Sequence, residues 1–350
     1  MGLRAHQAGT WGKCVGALLS VLLGWGGAQA KGLQVEDDLP TPLFLDRTYL
    51  FVSPSRIHRQ GDPNSPLPLV LEGQFAPNLF LPQLKLDDFK EDGRETLFSA
   101  VFTPNIRLRM VNTPSKPILP PSYLLKLTLQ VAHLRLFQNP DKEGLPRVWA
   151  WGLNVIAGHY SNGEDGCFFA NQKGTDPNCE PAEGTLPLNE ITGSFSTNLL
   201  RFELHSRLGF AVDVHQLSAW LVGANVFYEL NSSIGPGGMS PEQRYVYGDG
   251  HWGFGLLGER MVNGHRFRLE GSYSHPFGET PAQGGTLSVE AAANPRWGAG
   301  FGVFARYVRG QDYYNILFLE HINLWQFGLV FDLNPGARLK ADSDRPPGFQ

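Results

Sequence analysis

Past residue 30 this 350-residue sequence never strings together the roughly eighteen apolar residues that a membrane-crossing helix requires, so any passage through a bilayer has to be made by strands. Charge is scarce as well. Asp, Glu, Lys and Arg make up 18% of the chain, the formal net charge is -4, and no long basic run occurs, a balance that argues against nucleic acid as a partner. Cysteine is nearly absent, at three residues, and Cys14 falls in the N-terminal leader. That leaves Cys167 and Cys179, twelve positions apart in a Gly-, Asn-, Asp- and Pro-rich stretch. In an exported chain the natural reading of such a pair is a disulfide closing a loop. A metal site is the alternative, but it lacks a nearby His and CxxC spacing. What is plentiful is glycine (41), proline (26) and aromatic residues (12%), a balance that argues against a helical enzyme.

The leader has Arg4 and Lys13 ahead of the apolar run 15–23, then Ala28-Gln29-Ala30. This is the pattern of a secretory signal peptide cut after Ala30. The apolar run is too short for a transmembrane helix, and Lys31 after the cut excludes a lipoprotein anchor there. The organisation expected is a signal peptide over 1–30, a periplasmic lead-in over 31–45, a β-barrel over 46–333 and a disordered tail over 334–350.

Between leader and tail, period-two alternation recurs and no helical stripe stands out. Trp325, Phe327, Leu329 and Phe331 alternate with Gln326, Gly328, Val330 and Asp332, and Phe267, Leu269 and Tyr273 alternate with Arg266, Arg268, Glu270 and Ser272. Charged pairs opposite an apolar face, with aromatics near strand ends, suit an all-β, antiparallel transmembrane β-barrel more than a soluble sandwich or a lipocalin-like barrel. Alternating segments fall near 46–53, 68–80, 95–110, 122–137, 147–161, 194–208, 209–228, 244–260, 264–275, 284–293, 297–309 and 321–333, about twelve in all. An even number puts both termini on the periplasmic side and the long 162–193 connection outside the cell.

The fifth segment carries Trp149, Trp151, Leu153, Val155 and Ala157 on its lipid-like face, and alternation continues that stripe into His159 and Ser161. In the sixth, Leu200, Phe202 and Leu204 face lipid while Arg201, Glu203, His205 and Arg207 face away, which puts Asn198 on the lipid side. Polar residues on a lipid face are costly and need a reason. A serine hydroxyl becomes a nucleophile when an imidazole takes its proton, and the imidazole needs a third group to orient it. His159 as general base, Ser161 as nucleophile and Asn198 as orienter meet that need. The plainer reading is two interfacial residues beside a loop, which a third polar residue in register on the next strand makes less economical.

His159-Tyr160-Ser161-Asn162-Gly163 resembles the His-x-Ser-Asn-Gly signature of the outer-membrane phospholipase A family, and Ser194-Phe195-Ser196-Thr197-Asn198 is similar to that family's second catalytic block. Tyr307–Asn315 and Asp46–Leu50 resemble its turn into the last hairpin and its first strand. The resemblance implies a twelve-stranded barrel in the outer membrane of a Gram-negative bacterium, active as a homodimer, with its site toward the outer leaflet. It also implies Ca²⁺-dependent hydrolysis of phospholipid acyl esters. Calcium would be held by the backbone carbonyl of Glu164, the hydroxyl of Ser194 and, from a partner's loop, Ser115, oxygen ligation of the kind that suits this ion. The chain departs from the family in two places. Glu164 replaces a usual Arg, adding with Asp165 negative charge there, and the segment between Ser161 and Asn198 is enlarged by the Cys167–Cys179 loop. Two rival readings remain: a lipid A deacylase, which would pair its His with a Glu such as Glu190, and a non-enzymatic outer-membrane pore.

Overall fold

The structure is a computed structural model that describes residues 33–35, 45–58, 66–81, 84–85, 94–113, 117–137, 147–175, 178–180, 187–213, 218–281, 284–298, 300–331 and 339–341. The expected signal peptide, Ser115 and nearly all of the expected tail lie outside the described residues.

Twelve antiparallel strands close into a barrel. Strand β1 is broken into Thr48–Val52 and Arg56–His58, and β2 runs over Leu67–Phe75, with Leu79–Phe80 and Leu84–Lys85 extending its edge along β3. Then come β3 (Arg94–Val111), β4 (Ser122–Phe137), β5 (Arg147–Ser161), β6 (Ser196–Asp213) and β7 (Ser218–Ser232). The circuit continues with β8 (Gly250–Val262), β9 (His265–Phe277), β10 (Thr286–Asn294), β11 (Phe301–Gln311) and β12 (His321–Phe331). β12 closes it onto β1, with Leu329 opposite Leu50 and Ile322 opposite Ile57. In a separate two-stranded sheet, Leu33–Val35 pairs with Leu339–Ala341.

The alternation read from sequence is the alternation of the wall. Leu153, Leu200, Phe202, Leu204, Phe254, Phe267, Leu269, Phe327 and Leu329 stand exposed on the outer face. At one end of that belt are Trp220 and Trp297, and at the other Tyr123, Tyr228 and Trp252, all exposed, the arrangement of interfacial girdles. The inner face is polar and paired. Arg109 bridges Glu72 at 2.7 Å and Asp312 at 2.6 Å, all three fully buried, and Glu290 gathers Arg47, Arg268 and Arg306 within 2.9 Å. Each charge in these groups has opposite charge beside it, which is what makes its removal from water tolerable.

Two sequence expectations are corrected here. The segment expected as strand over 244–260 begins only at Gly250, because Pro241–Tyr247 forms a helix, α1. Its start is locally encoded: Ser240 and Gln243 make a reciprocal capping box around Pro241, and Gly248 ends it at φ 77°. A helix this short escapes a search for long amphipathic stripes. The boundary expected between the sixth and seventh strands, near 208, also moves, since β6 continues to Asp213.

At the end opposite the termini, the barrel mouth is filled. The 162–195 connection brings in Phe168, Phe169 and Leu188, α1 brings Val246 and Tyr247, and the 312–320 connection brings Tyr314, Ile316, Leu317 and Phe318, all buried in one apolar cluster with Phe195. Tyr247 is the hub, its ring 4.7 Å from Phe195 and 4.8 Å from Phe318, while its hydroxyl donates to the Asn315 carbonyl at 2.6 Å. Burial holds that hydroxyl well above its ordinary pKa, so it stays a neutral donor. The cysteine pair is joined as expected, Cys167 to Cys179 with a Cα separation of 5.6 Å, so a disulfide borders the cap.

Candidate active site

Beneath the cap lies a cavity of about 260 Å³, lined among others by Arg107, Tyr160, Glu229, His251 and Gln311. It faces the barrel interior, and none of His159, Ser161 and Asn198 lines it. Those three are on the other side of the same wall.

Their placement follows from register. Asn198 on β6 is directly opposite His159 on β5, and Ser196 is opposite Ser161. On the other flank of β5, Leu125 is opposite His159 and Tyr123 is opposite Ser161. The even-numbered neighbours Asn154 and Ile156 are buried inward, and Thr197 and Leu199 on β6 are likewise buried, so the odd positions of β5 and the even positions of β6 form the outer face. His159, Ser161 and Asn198 are half-buried at the capped end of that face, immediately past the apolar stripe.

The imidazole and the amide are in contact, with His159 Nδ1 2.9 Å from Asn198 Oδ1. The amide's orientation follows from its other partners. Asn198 Nδ2 donates to the carbonyl of Ile234 at 2.8 Å and to that of Pro236 at 3.2 Å. Carbonyls only accept, so the NH₂ group must face them and the amide oxygen must face the ring. The proton of the neutral imidazole therefore sits on Nδ1, and Nε2 carries the lone pair a general base needs. His159 Nε2 and the Ser161 hydroxyl have no hydrogen-bond partner among the described residues. Catalytic contacts of this kind often tighten only when substrate is present.

The turn after Ser161 is held by Asn162, whose buried side chain donates to the Gly193 carbonyl at 2.7 Å and accepts from the backbone N–H of Phe195 at 3.0 Å. This lashes the end of β5 to the start of β6. Gly163 follows at φ 73°, a left-handed conformation that glycine adopts without strain, and a side chain there would approach the Tyr123 ring. Its N–H has no partner among the described residues, as a donor reserved for an oxyanion would require.

The residues expected to hold calcium are only partly placed. Ser194 is buried, and its N–H donates to the Gly166 carbonyl at 2.7 Å. Glu164, two residues before Gly166, is half-buried, and its carbonyl accepts no hydrogen bond among the described residues. Both thus belong to one edge of the 162–195 connection, with Asp165 exposed between them. No group of three or more His, Cys, Asp or Glu suited to a metal occurs among the described residues, so any ion here would depend on carbonyl and hydroxyl oxygens. Glu190 lies in the turn of 190–192, and the partner of His159 is the Asn198 amide.

Sequence reading missed a third contributor. The connection after β7, Ser233-Ile234-Gly235-Pro236-Gly237-Gly238-Met239, folds across Asn198 and His159. The signal was a Gly-Pro-Gly-Gly run, but its contribution is made by backbone carbonyls, which leave no trace in side-chain periodicity.

No protein family and no curated protein matches this sequence. Among solved structures, outer membrane phospholipase A from Escherichia coli superimposes with a TM-score of 0.43 at 12% identity, covering 85% of this chain and 95% of that one. The Salmonella typhi outer membrane phospholipase, a dimer with bound calcium, superimposes with a TM-score of 0.44 at 15% identity, covering 85% and 94%.

Proposed function

We propose that this chain is an outer-membrane phospholipase that hydrolyses the acyl esters of membrane phospholipids, as a phospholipase A1/A2, with His159 and Ser161 as its catalytic pair and Asn198 as orienter. The observation that carries this is the Nδ1-to-Oδ1 contact of 2.9 Å on the lipid-facing side of the wall, next to a serine on the same face of β5. An ester lodged in the outer leaflet would meet Ser161 without leaving the membrane.

In the reaction, Ser161 Oγ bonds to the ester carbonyl carbon while its proton passes to His159 Nε2. The developing oxyanion is met by backbone N–H groups of the turn at Gly163. The lysophospholipid alcohol leaves with the proton from Nε2. Water then attacks the acyl-serine, again giving its proton to Nε2, and fatty acid is released as Ser161 recovers its hydrogen. Asn198 keeps the ring in the tautomer these steps need. Being neutral, it stabilises the imidazolium less than a carboxylate would.

Calcium is part of the proposal: the carbonyl of Glu164 and the hydroxyl of Ser194 would hold it, with Ser115 from a partner subunit in a homodimer. Bound there, it would supply positive charge against the oxyanion. The all-oxygen donor set and the unpaired Glu164 carbonyl fit such an ion. The filled barrel mouth and the amide partner of His159 favour this reading over a pore and over a His-Glu deacylase. The test is fatty-acid release from a diacyl phospholipid in detergent. Ser161→Ala should lower it by at least about 10³-fold, and EDTA should abolish it. Hydrolysis of lipopolysaccharide alone would instead support the deacylase.

A further inference from the structure

We infer that the glycine turn of residues 234–238 is a positioning element for the His159 imidazole, and that it is what makes position 198 an amide rather than a carboxylate. This rests on the hydrolase reading above and goes beyond it, because it gives a role to backbone groups outside the His159, Ser161 and Asn198 group.

The turn is tied to the site from both sides. Its carbonyls at Ile234 and Pro236 take both protons of the Asn198 amide, at 2.8 and 3.2 Å, and the carbonyl of Gly237 accepts from Ser196 Oγ at 2.6 Å. It is internally braced: Ile234 N–H donates to Ser232 Oγ at 3.1 Å, Gly238 N–H to the Gly235 carbonyl at 3.2 Å, and Met239 N–H to the Ser232 carbonyl at 2.9 Å. Ser232 is itself in register with Asn198, so the brace starts from the neighbouring strand. Gly237 lies against the ring. At φ 71° it is in the region glycine favours, and a Cβ built on it would be 2.5 Å from His159 Cε1 and 3.0 Å from Ser196 Oγ.

Two consequences follow. An aspartate at 198 would aim one oxygen at His159 and the other at two carbonyl oxygens that offer no proton. The carboxylate that elsewhere makes the stronger orienter would here be repelled from the place an orienter must occupy. A side chain at 237 would press on the imidazole at Cε1 and displace the ring, and misplacement of about 1 Å is enough to cost a large factor in rate.

The experiment compares wild type, Ser161→Ala, Asn198→Ala, Asn198→Asp and Gly237→Ala as full chains in detergent. One readout is hydrolysis of diacyl phosphatidylcholine in mixed micelles, split into kcat and KM. The other is the rate at which an alkyl sulfonyl fluoride labels Ser161, which reports nucleophile activation without lipid binding. Heat-modified gel migration verifies that each barrel is folded. For Gly237→Ala we expect kcat to fall at least about tenfold with KM within about twofold of wild type, and labelling to slow in parallel. For Asn198→Asp we expect activity no higher than that of Asn198→Ala. Folded Gly237→Ala labelling at the wild-type rate, or Asn198→Asp matching wild type, would overturn the inference while leaving the hydrolase reading intact. If Gly237→Ala does not fold, the Asn198→Asp arm decides alone. Wild type that neither hydrolyses lipid nor labels at Ser161 would overturn the hydrolase reading, and the inference with it.

Discussion

His159 and Asn198 illustrate how much chemistry a two-residue contact defines once its surroundings are counted. The amide accepts one hydrogen bond and donates two, so both protons and its oxygen are engaged, and the ring's tautomer follows from the amide's own orientation. Asn198→Ala should lower kcat about 10- to 150-fold, the worth of one hydrogen bond to a group that becomes charged, with KM little changed; steady-state kinetics on diacyl lipid checks this. These two residues and Ser161 were legible in sequence because a strand's period of two is strict and the Asn198 register continued an apolar stripe. The turn that holds Asn198 was not, since Ile234 and Pro236 act through carbonyls. The proposed calcium set comes from family resemblance alone. Glu164 and Ser194 do share one edge of a connection, but a carbonyl ligand leaves no signature in residue type.

The strands were the most legible elements, since their outer residues are apolar and their inner ones polar along most of the wall. Connections followed other rules. The helix α1 was hidden by its length, although Ser240-Pro241-Glu242-Gln243 spells its start. Its Tyr247, packed between Phe195 and Phe318, ties the 162–195 and 312–320 connections into one cap. Replacing Cys167 and Cys179 together by Ser should leave the barrel folded while loosening the cap by up to about 3 kcal/mol, the loop-closure entropy of a bridge this short. Limited proteolysis would then cut the 162–195 connection faster than in the oxidised protein. Within the wall, Arg109→Met leaves Asp312 buried without its cation and Glu72 with only Arg107 at 3.9 Å, and urea unfolding in vesicles should register a loss of about 3–5 kcal/mol.

At the scale of the molecule, the barrel presents two separate environments. Its interior holds paired charges and, at one end, a packed apolar cluster, while its exterior carries the His159, Ser161 and Asn198 group at the edge of the lipid-facing belt. A mouth packed with apolar side chains predicts that the purified chain forms no persistent open channel in planar bilayers; steady ohmic conductance would argue for the pore. The even strand number and the site's position at the end opposite the termini were both visible in the count of alternating segments. How the mouth is filled was not, because Phe168, Phe169 and Leu188 sit in a stretch whose composition reads as loop. The most direct measurement is fatty-acid release from diacyl phospholipid by the folded chain with calcium, with EDTA, and with Ser161→Ala. The proposed site requires release with calcium that both EDTA and the substitution remove, and release that survives Ser161→Ala, or no release from folded wild type, would contradict it.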